Sequence, residues 1–167
     1  MQMLNRYFAP FALILILSAI YFSEPEPAAY KLSLGILIAS IVVNWWVAKN
    51  TYRYIHWAKQ MKVLQVWLDY IWAVPLFWLL QPFWGPMWLL FVMAPATAAL
   101  TMGRWHTLGV AFVSAGTMLG IYWYRGVFDG GPAAGMACVH ATFIIVFSLF
   151  IYGLAQTALR MRDASLS

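Results

Sequence analysis

The sequence predicts an all-α integral membrane protein, a polytopic helical bundle that crosses the bilayer about six times with both termini in the cytoplasm. Three observations lead to this prediction: the composition, the spacing of the apolar runs and the placement of the cations. Hydrophobic residues make up 64% of the 167 positions and charged residues 9%, whereas soluble domains average roughly 45–50% and about 25%. So few charged residues cannot cover a water-facing surface, and lipid is the expected solvent for most of the chain.

Six apolar runs approach the length of about 20 residues that a membrane-spanning helix needs. They cover residues 7–22, 32–48, 63–80, 87–102, 108–124 and 136–159. Only short connections remain between them, so residues 1–167 are predicted to form a single membrane domain. The first run precedes Ser23-Glu24-Pro25-Glu26-Pro27 instead of a small-x-small cleavage site, which indicates a retained span and not a removed signal peptide.

Lys and Arg are distributed unequally between the two sides of this six-span topology. Eight lie on one side, namely Arg6, Lys49, Arg53, Lys59, Lys62, Arg104, Arg160 and Arg162, and two on the other, Lys31 and Arg125. The more basic side of a membrane protein faces the cytoplasm, which places both termini there. This asymmetry requires an even number of spans, so six is preferred to five. The predicted location is the bacterial cytoplasmic (inner) membrane.

The formal charge of +5 does not indicate a nucleic-acid partner, because the cations lie in short segments at the membrane edges. Four of them, Lys49, Arg53, Lys59 and Lys62, are interleaved with Tyr52, Tyr54 and Trp57. Such a segment is typical of an interfacial stretch whose cations contact anionic lipid. Membrane lipids are therefore predicted partners, and nucleic acid is excluded.

Two small-x-x-x-small motifs predict helix packing. Gly35 and Ala39 in the second span, and Gly116 and Gly120 in the fifth, each place two small residues on one helical face, where another backbone can approach closely. We expect both faces to meet other helices, although the motif does not identify them.

Asp69 is the one acidic residue inside a predicted span, and an ionised carboxylate there is costly unless it faces a partner or a water-filled cavity. Asn44 lies at a similar depth in the preceding span, so a hydrogen bond between the two is expected. Gln65, one turn before Asp69, is another candidate donor. Two interpretations stay open for these residues: a buried polar clamp that fixes helix register, or part of a ligand or proton site.

The three histidines are not expected to form a haem site, because a bis-histidine haem needs two imidazoles at matching depth on facing helices. His106 lies at the cytoplasmic edge, His140 about one turn inside the outer edge, and His56 on the basic segment. His140 is expected to be a satisfied histidine of the bundle or, alternatively, to line an outward pocket with Tyr122 and Thr142.

No catalytic motif is present, whether a nucleophile elbow, a His-Glu-x-x-His pair, a P-loop or paired intramembrane carboxylates. The lone Cys138 excludes an internal disulfide and a multi-cysteine metal site. The chain is therefore predicted not to be an enzyme and not to hold a metal, and the sequence identifies no cofactor.

From the third span onward the sequence resembles the multi-spanning sensory membrane module at the N-terminus of many bacterial histidine kinases. The resemblance rests on Leu68-Asp69-Tyr70, on Gly85-Pro86-Met87-Trp88, and on Pro95-Ala96-Thr97-Ala98-Ala99-Leu100 running into Gly103-Arg104. In that family the last span continues into a kinase core. The sequence given ends at Ser167 without a phospho-accepting histidine segment or nucleotide-binding glycines, so the resemblance implies a module that signals through another polypeptide.

Three functional hypotheses follow. The first is a non-enzymatic membrane subunit, either a sensory module or an accessory part of a larger complex, whose partner is another membrane protein. The second is a solute-binding or transport component, with Asp69 or His140 at its site. The third is an accessory subunit of a redox or photosynthetic energy-converting complex.

Overall fold

The computed structural model describes residues 2–23, 26–51, 58–82, 85–129 and 131–164, and these are helical apart from short connections. Six α-helices account for nearly all of them: α1 (Gln2–Ser23), α2 (Pro27–Thr51), α3 (Ala58–Leu80), α4 (Leu90–Thr101), α5 (Arg104–Tyr124) and α6 (Gly131–Ala164). Short 3-10 helices, Gly85–Leu89 and Val127–Asp129, precede α4 and α6. No strand occurs in these ranges, and the predicted all-α class is confirmed.

Four helices are long and apolar enough to cross a bilayer, in the segments Pro27–Val47, Gln60–Leu80, Arg104–Tyr124 and Ala133–Arg162. Two shorter apolar segments, Pro10–Phe22 and Gly85–Thr101, coincide with the first and fourth predicted spans. By the length and composition of these helices the chain is a membrane protein.

Helices α1, α2, α3, α5 and α6 all begin before the predicted spans, and at two of these starts the helix replaces a predicted connection. Gly103-Arg104-Trp105-His106 was expected to be a connection, but α5 begins at Arg104, so Trp105 and His106 lie in its first turn. Residues 125–135 were expected to be a glycine-rich loop, but α6 begins at Gly131. Proline in a first helical turn sacrifices no helical hydrogen bond, so the Gly131-Pro132 pair begins a helix instead of extending the loop.

The chain divides into two compact units, Met1–Met93 and Ala94–Ser167. The division falls inside α4, directly before Pro95, a residue that cannot donate the usual backbone hydrogen bond of a helix. All residues from Ala94 to Ala99 are buried. Their small side chains suit such burial, because a helix of Ala and Thr can be approached closely.

In the first unit, α2 packs against α1 and α3, and the 3-10 helix Gly85–Leu89 also contacts α1 and α3. Ile16, Phe77, Met87 and Phe91 are fully buried. The rings of Phe77 and Phe91 meet edge to face with centroids 5.1 Å apart. Lipid is as apolar as these side chains, so close van der Waals packing, and not expulsion from water, holds them together.

In the second unit, α5 packs against α6, and the 3-10 helix Val127–Asp129 contacts both. The buried faces of the two helices consist largely of small residues: Thr107, Ala111, Ser114 and Ala115 on α5, and Ala137, Ala141 and Ser148 on α6. Helix α5 ends at Tyr124, and two residues later Gly126 adopts the left-handed backbone region, with a φ of 69°. The Gly126 amide donates to the carbonyl of Trp123 at 3.0 Å, which closes the last turn.

Candidate functional site

An amide and a carboxyl group face each other inside the first unit. Asn44 lies on α2 and Asp69 on α3, and Asn44 Nδ2 donates a hydrogen bond to Asp69 Oδ1 at 3.5 Å. Both side chains are part-buried. The contact is long, because N–H···O bonds are typically about 2.9–3.0 Å. The expected hydrogen bond between these two residues is nevertheless present. Their role, as a clamp that fixes helix register or as part of a ligand site, stays a prediction.

Both residues lie in the middle of the faces that the two helices bury. On α2 the buried stripe consists of Ser33, Leu37, Ser40 and Val47, and Asn44 occupies the position between the last two. On α3 the stripe includes Val66, Ala73, Leu76 and Leu80, next to the buried Phe77, and Asp69 follows Val66 by three residues. Spacings of three and four residues keep all these positions on one side of each helix.

The buried residues fit one antiparallel register around this pair. Leu37 precedes Asn44 by seven residues and Leu76 follows Asp69 by seven, whereas Val47 and Val66 each lie three residues away on the other side. Helices rise equally per residue, so each of these apolar pairs lies at one depth. The polar pair and the spacing of the buried apolar residues are therefore consistent with the same alignment of α2 and α3.

The amide of Asn44 is only half satisfied. Its Oδ1 atom is buried and accepts no hydrogen bond from the residues that the structure describes. A buried acceptor without a donor costs roughly 1–3 kcal/mol. The same cost applies to a polar group inside the membrane, because lipid offers no hydrogen bonds.

Aromatic rings fill the space beside the residue that follows Asp69. The ring of Tyr70 lies 5.8 Å from that of Trp67 and 6.5 Å from that of Phe91, both edge-on. Phe91 is fully buried.

Polar side chains continue from Asp69 toward the beginning of α3. Gln65 lies four residues before Asp69 and Lys62 three residues before Gln65, and all three are part-buried. This spacing places them on one helical face. Gln65 was identified from the sequence as a candidate donor. Lys62 was predicted only as a lipid contact, although it lies seven residues before Asp69 and therefore on the same helical face.

His140 lies in the second unit, where its ring is 6.4 Å from that of Tyr122. Tyr122 is buried and His140 part-buried. Thr142, the third residue of the expected pocket, is exposed, and its hydroxyl donates to the carbonyl of Cys138 on its own helix at 2.9 Å. Residues two positions apart on a helix point to nearly opposite sides. The side chain of Thr142 therefore does not line a pocket with those of Tyr122 and His140.

The four predicted packing residues, Gly35, Ala39, Gly116 and Gly120, are all exposed. A Cβ atom added to any of the three glycines would meet no atom within 4 Å. The faces that α2 and α5 bury are other faces. What the small-residue faces meet stays a prediction.

The predicted lipid-contact residues are described in part. Lys49 is exposed at the end of α2, and its Nζ lies 5.1 Å from the centre of the Trp45 ring, a cation–π contact. Arg53 and the side chain of Lys59 lie outside the described residues.

Arg125 follows α5, and burial lowers the pKa of its guanidinium, which nevertheless stays charged at neutral pH.

Three buried polar atoms were not anticipated from the sequence: Ser33 Oγ, Ser114 Oγ and Trp72 Nε1, none of which has a hydrogen-bond partner among the described residues. Ser33 could have been found, since it falls on the three-and-four spacing that leads to Asn44. Trp72 gave no such signal, because tryptophan in an apolar run also fits an interfacial anchor.

No three His, Cys, Asp or Glu side chains come together as a metal site in the part of the chain that is described. No protein-family model, curated protein or solved structure matches the chain.

Proposed function

We propose that the chain is a non-enzymatic subunit of the bacterial cytoplasmic membrane, crossing it six times and packing against another membrane protein through exposed glycine faces. A sensory module and an accessory subunit both act in this way, by contacts between helices. The observation that carries the proposal is the exposure of the small-residue faces of α2 and α5.

An exposed glycine in a helix requires a physical explanation, because glycine is unfavourable there. In a helix interior it costs about 0.5–1 kcal/mol relative to alanine, and it offers no side chain to the surrounding lipid. Helix α5 nevertheless carries Gly109, Gly116 and Gly120, all exposed and separated by seven and four residues. Such a face allows a second helix to approach closely, which is the main source of helix association in lipid.

Helix α2 offers a comparable surface. Only four residues of its span, Pro27–Val47, are buried, namely Ser33, Leu37, Ser40 and Val47. Exposed apolar side chains, namely Leu32, Ile38 and Val42, flank Gly35 and Ala39. A partner helix would find a shallow groove between larger side chains on this face, as in other small-x-x-x-small contacts.

The membrane arrangement is supported by the distribution of cations and aromatic rings. The two shorter apolar segments supply the first and fourth spans, which gives an even number and puts eight cations on one side. Lys49 and its partner Trp45 lie near the end of α2 on that side, where a cation and an indole ring suit the cytoplasmic interface.

The experiment is a quantitative co-purification of the tagged chain from its native membrane in mild detergent, with mass spectrometry of the attached proteins. We expect one membrane protein in fixed stoichiometry. The double variant Gly116→Leu/Gly120→Leu should reduce its recovery about tenfold, the effect of losing about 1.4 kcal/mol of contact.

The matched control is Gly153→Leu on α6, a glycine that is equally exposed, has no atom near an added Cβ and lies outside both motifs. It should leave recovery unchanged, and all variants should keep the thermal midpoint of the isolated chain. Purification of the wild-type chain with no stoichiometric partner, or unchanged recovery with the double variant, would contradict the proposal.

A further inference from the structure

Helix α2 carries an exposed stripe that is apolar along its length and ends in a cation. Successive positions of the stripe are four, three and four residues apart, a spacing that keeps them on one helical face. The stripe consists of Ile38, Val42, Trp45 and Lys49, all of which are exposed. The face through which α2 contacts α3, marked by Asn44, is a different one.

The stripe is about as long as one leaflet of a bilayer is thick. From Ile38 to Lys49 the helix rises about 16–17 Å, at roughly 1.5 Å per residue. The hydrocarbon of one leaflet is about 15 Å thick, half of the core of a typical bilayer. With Lys49 at the level of the headgroups, Ile38 therefore lies near the middle of the membrane, and an acyl chain of a single lipid can follow the stripe.

The cation at the end of the stripe is positioned by an aromatic ring. Lys49 Nζ lies 5.1 Å from the centre of the Trp45 ring, whose π face attracts the ammonium group. The ring faces one side of that group, and an ammonium group has three N–H donors. Because the Lys49 side chain is exposed, donors remain for an anion that arrives from the lipid.

A second cation lies at nearly the same depth. Lys49 follows Asn44 by five residues, and Lys62 precedes Asp69 by seven. Since Asn44 contacts Asp69 between the antiparallel helices, the two lysines differ in depth by two residues, or about 3 Å of helical rise. Both therefore lie at the same edge of the membrane.

The charges of this part of the chain favour an anionic occupant. The sequence contains no Asp or Glu between Glu26 and Asp69, a stretch that holds five Lys and Arg residues. Cations at a membrane edge attract anionic headgroups. A zwitterionic headgroup gains less, because its own ammonium group is repelled.

We propose that the exposed stripe of α2 binds one anionic phospholipid, whose phosphate accepts hydrogen bonds from the ammonium group of Lys49 and whose acyl chain packs along Val42 and Ile38. The indole ring of Trp45 lies between these two parts, at the level of the headgroup, where tryptophan is enriched in membrane proteins. A soluble phosphate would use only the last position of the stripe, whereas a lipid uses all four.

The test is lipid retention by the isolated whole chain in detergent micelles, measured by native mass spectrometry. Phosphatidylglycerol and phosphatidylethanolamine with the same acyl chains are titrated separately. We expect one phosphatidylglycerol per chain to be retained at an about fivefold lower lipid concentration, the effect of one lysine near an anionic headgroup. Lys49→Gln should remove this preference and leave the retention of phosphatidylethanolamine unchanged.

Two further variants show whether the position of the charge matters. Lys49→Arg keeps a cation at the end of the stripe and should keep the preference for phosphatidylglycerol. Lys31→Gln, the matched control, removes an exposed cation near the other end of α2, five residues after Glu26, and should keep the preference too. Glycerol phosphate, which has the same anionic group without acyl chains, should not displace the lipid at equal concentration.

Equal retention of the two lipids by the wild-type chain would overturn the proposal. Equal effects of Lys49→Gln and Lys31→Gln would also overturn it, because overall charge would then explain the preference. Displacement by glycerol phosphate would assign the site to a soluble anion instead. Lipid retention is measured on the isolated chain and partner recovery from native membranes, so failure of either proposal is distinguishable from failure of the other.

Discussion

Buried hydroxyl groups in this chain are of two kinds, which should respond differently to removal. The hydroxyls of Ser40 and Ser148 donate to carbonyls of their own helices, those of Leu37 and Ile144. The hydroxyls of Ser33 and Ser114 are buried without a hydrogen-bond partner among the described residues. A satisfied hydroxyl contributes modestly to stability, whereas an unsatisfied one lowers it.

Removal of the unsatisfied hydroxyls should therefore leave the chain as stable or more stable. We expect Ser33→Ala and Ser114→Ala to change the free energy of unfolding by between zero and about +1 kcal/mol, while Ser148→Ala lowers it by about 0.5–1 kcal/mol. Unfolding in mixed micelles measures all three. A clear loss of stability in Ser114→Ala would show that its hydroxyl has a partner in the membrane.

Individual residues of the site could be predicted where a residue type is rare in the surrounding sequence. Asn44 and Asp69 stand out because so few polar residues interrupt the apolar runs. The unsatisfied Oδ1 of Asn44 could not be predicted, since it depends on the orientation of one amide. Trp72 was missed because an indole ring in an apolar run is compatible with either core or interface.

At the scale of helices, a polar contact joins α2 and α3. That contact and two apolar pairs at equal distances from it fit a single alignment. A slip by one residue would rotate the stripe of each helix away from the other by about 100°. The polar pair and the buried stripes therefore reinforce each other.

Disulfide crosslinking tests this alignment. In a Cys138→Ala background, Leu37→Cys/Leu76→Cys should crosslink readily under mild oxidation, because both positions are buried at one depth. Ile38→Cys/Leu76→Cys is the control, since Ile38 is 56% exposed and faces away. Gel mobility after oxidation reports the bond, and equal crosslinking of the two pairs would refute the register.

The helices themselves could be predicted from apolar run length, but their ends could not. Helix α5 extends back to Arg104 and α6 to Gly131, because polar and glycine residues at a membrane edge can continue a helix into water. The exposure of Gly35, Ala39, Gly116 and Gly120 could not be predicted either. A small-x-x-x-small motif indicates close packing without saying whether the other helix belongs to the same chain.

For the whole molecule, the apolar composition indicates a lipid environment, and the distribution of cations predicts the orientation. The exposed surface of the described helices carries many large apolar side chains, among them Ile14, Trp46, Phe112 and Phe150. A soluble protein rarely exposes so much apolar area, whereas lipid covers it without cost. Helix packing through glycine faces presupposes this environment.

Cysteine labelling tests the orientation most directly. The native thiol of Cys138 is removed by substitution with alanine, and Ser23→Cys or Ser167→Cys is then introduced singly. A membrane-impermeant maleimide is added to intact cells or spheroplasts. The six-span arrangement predicts labelling at position 23 without permeabilisation and at position 167 only after it, and labelling of position 167 but not 23 in intact cells would contradict it.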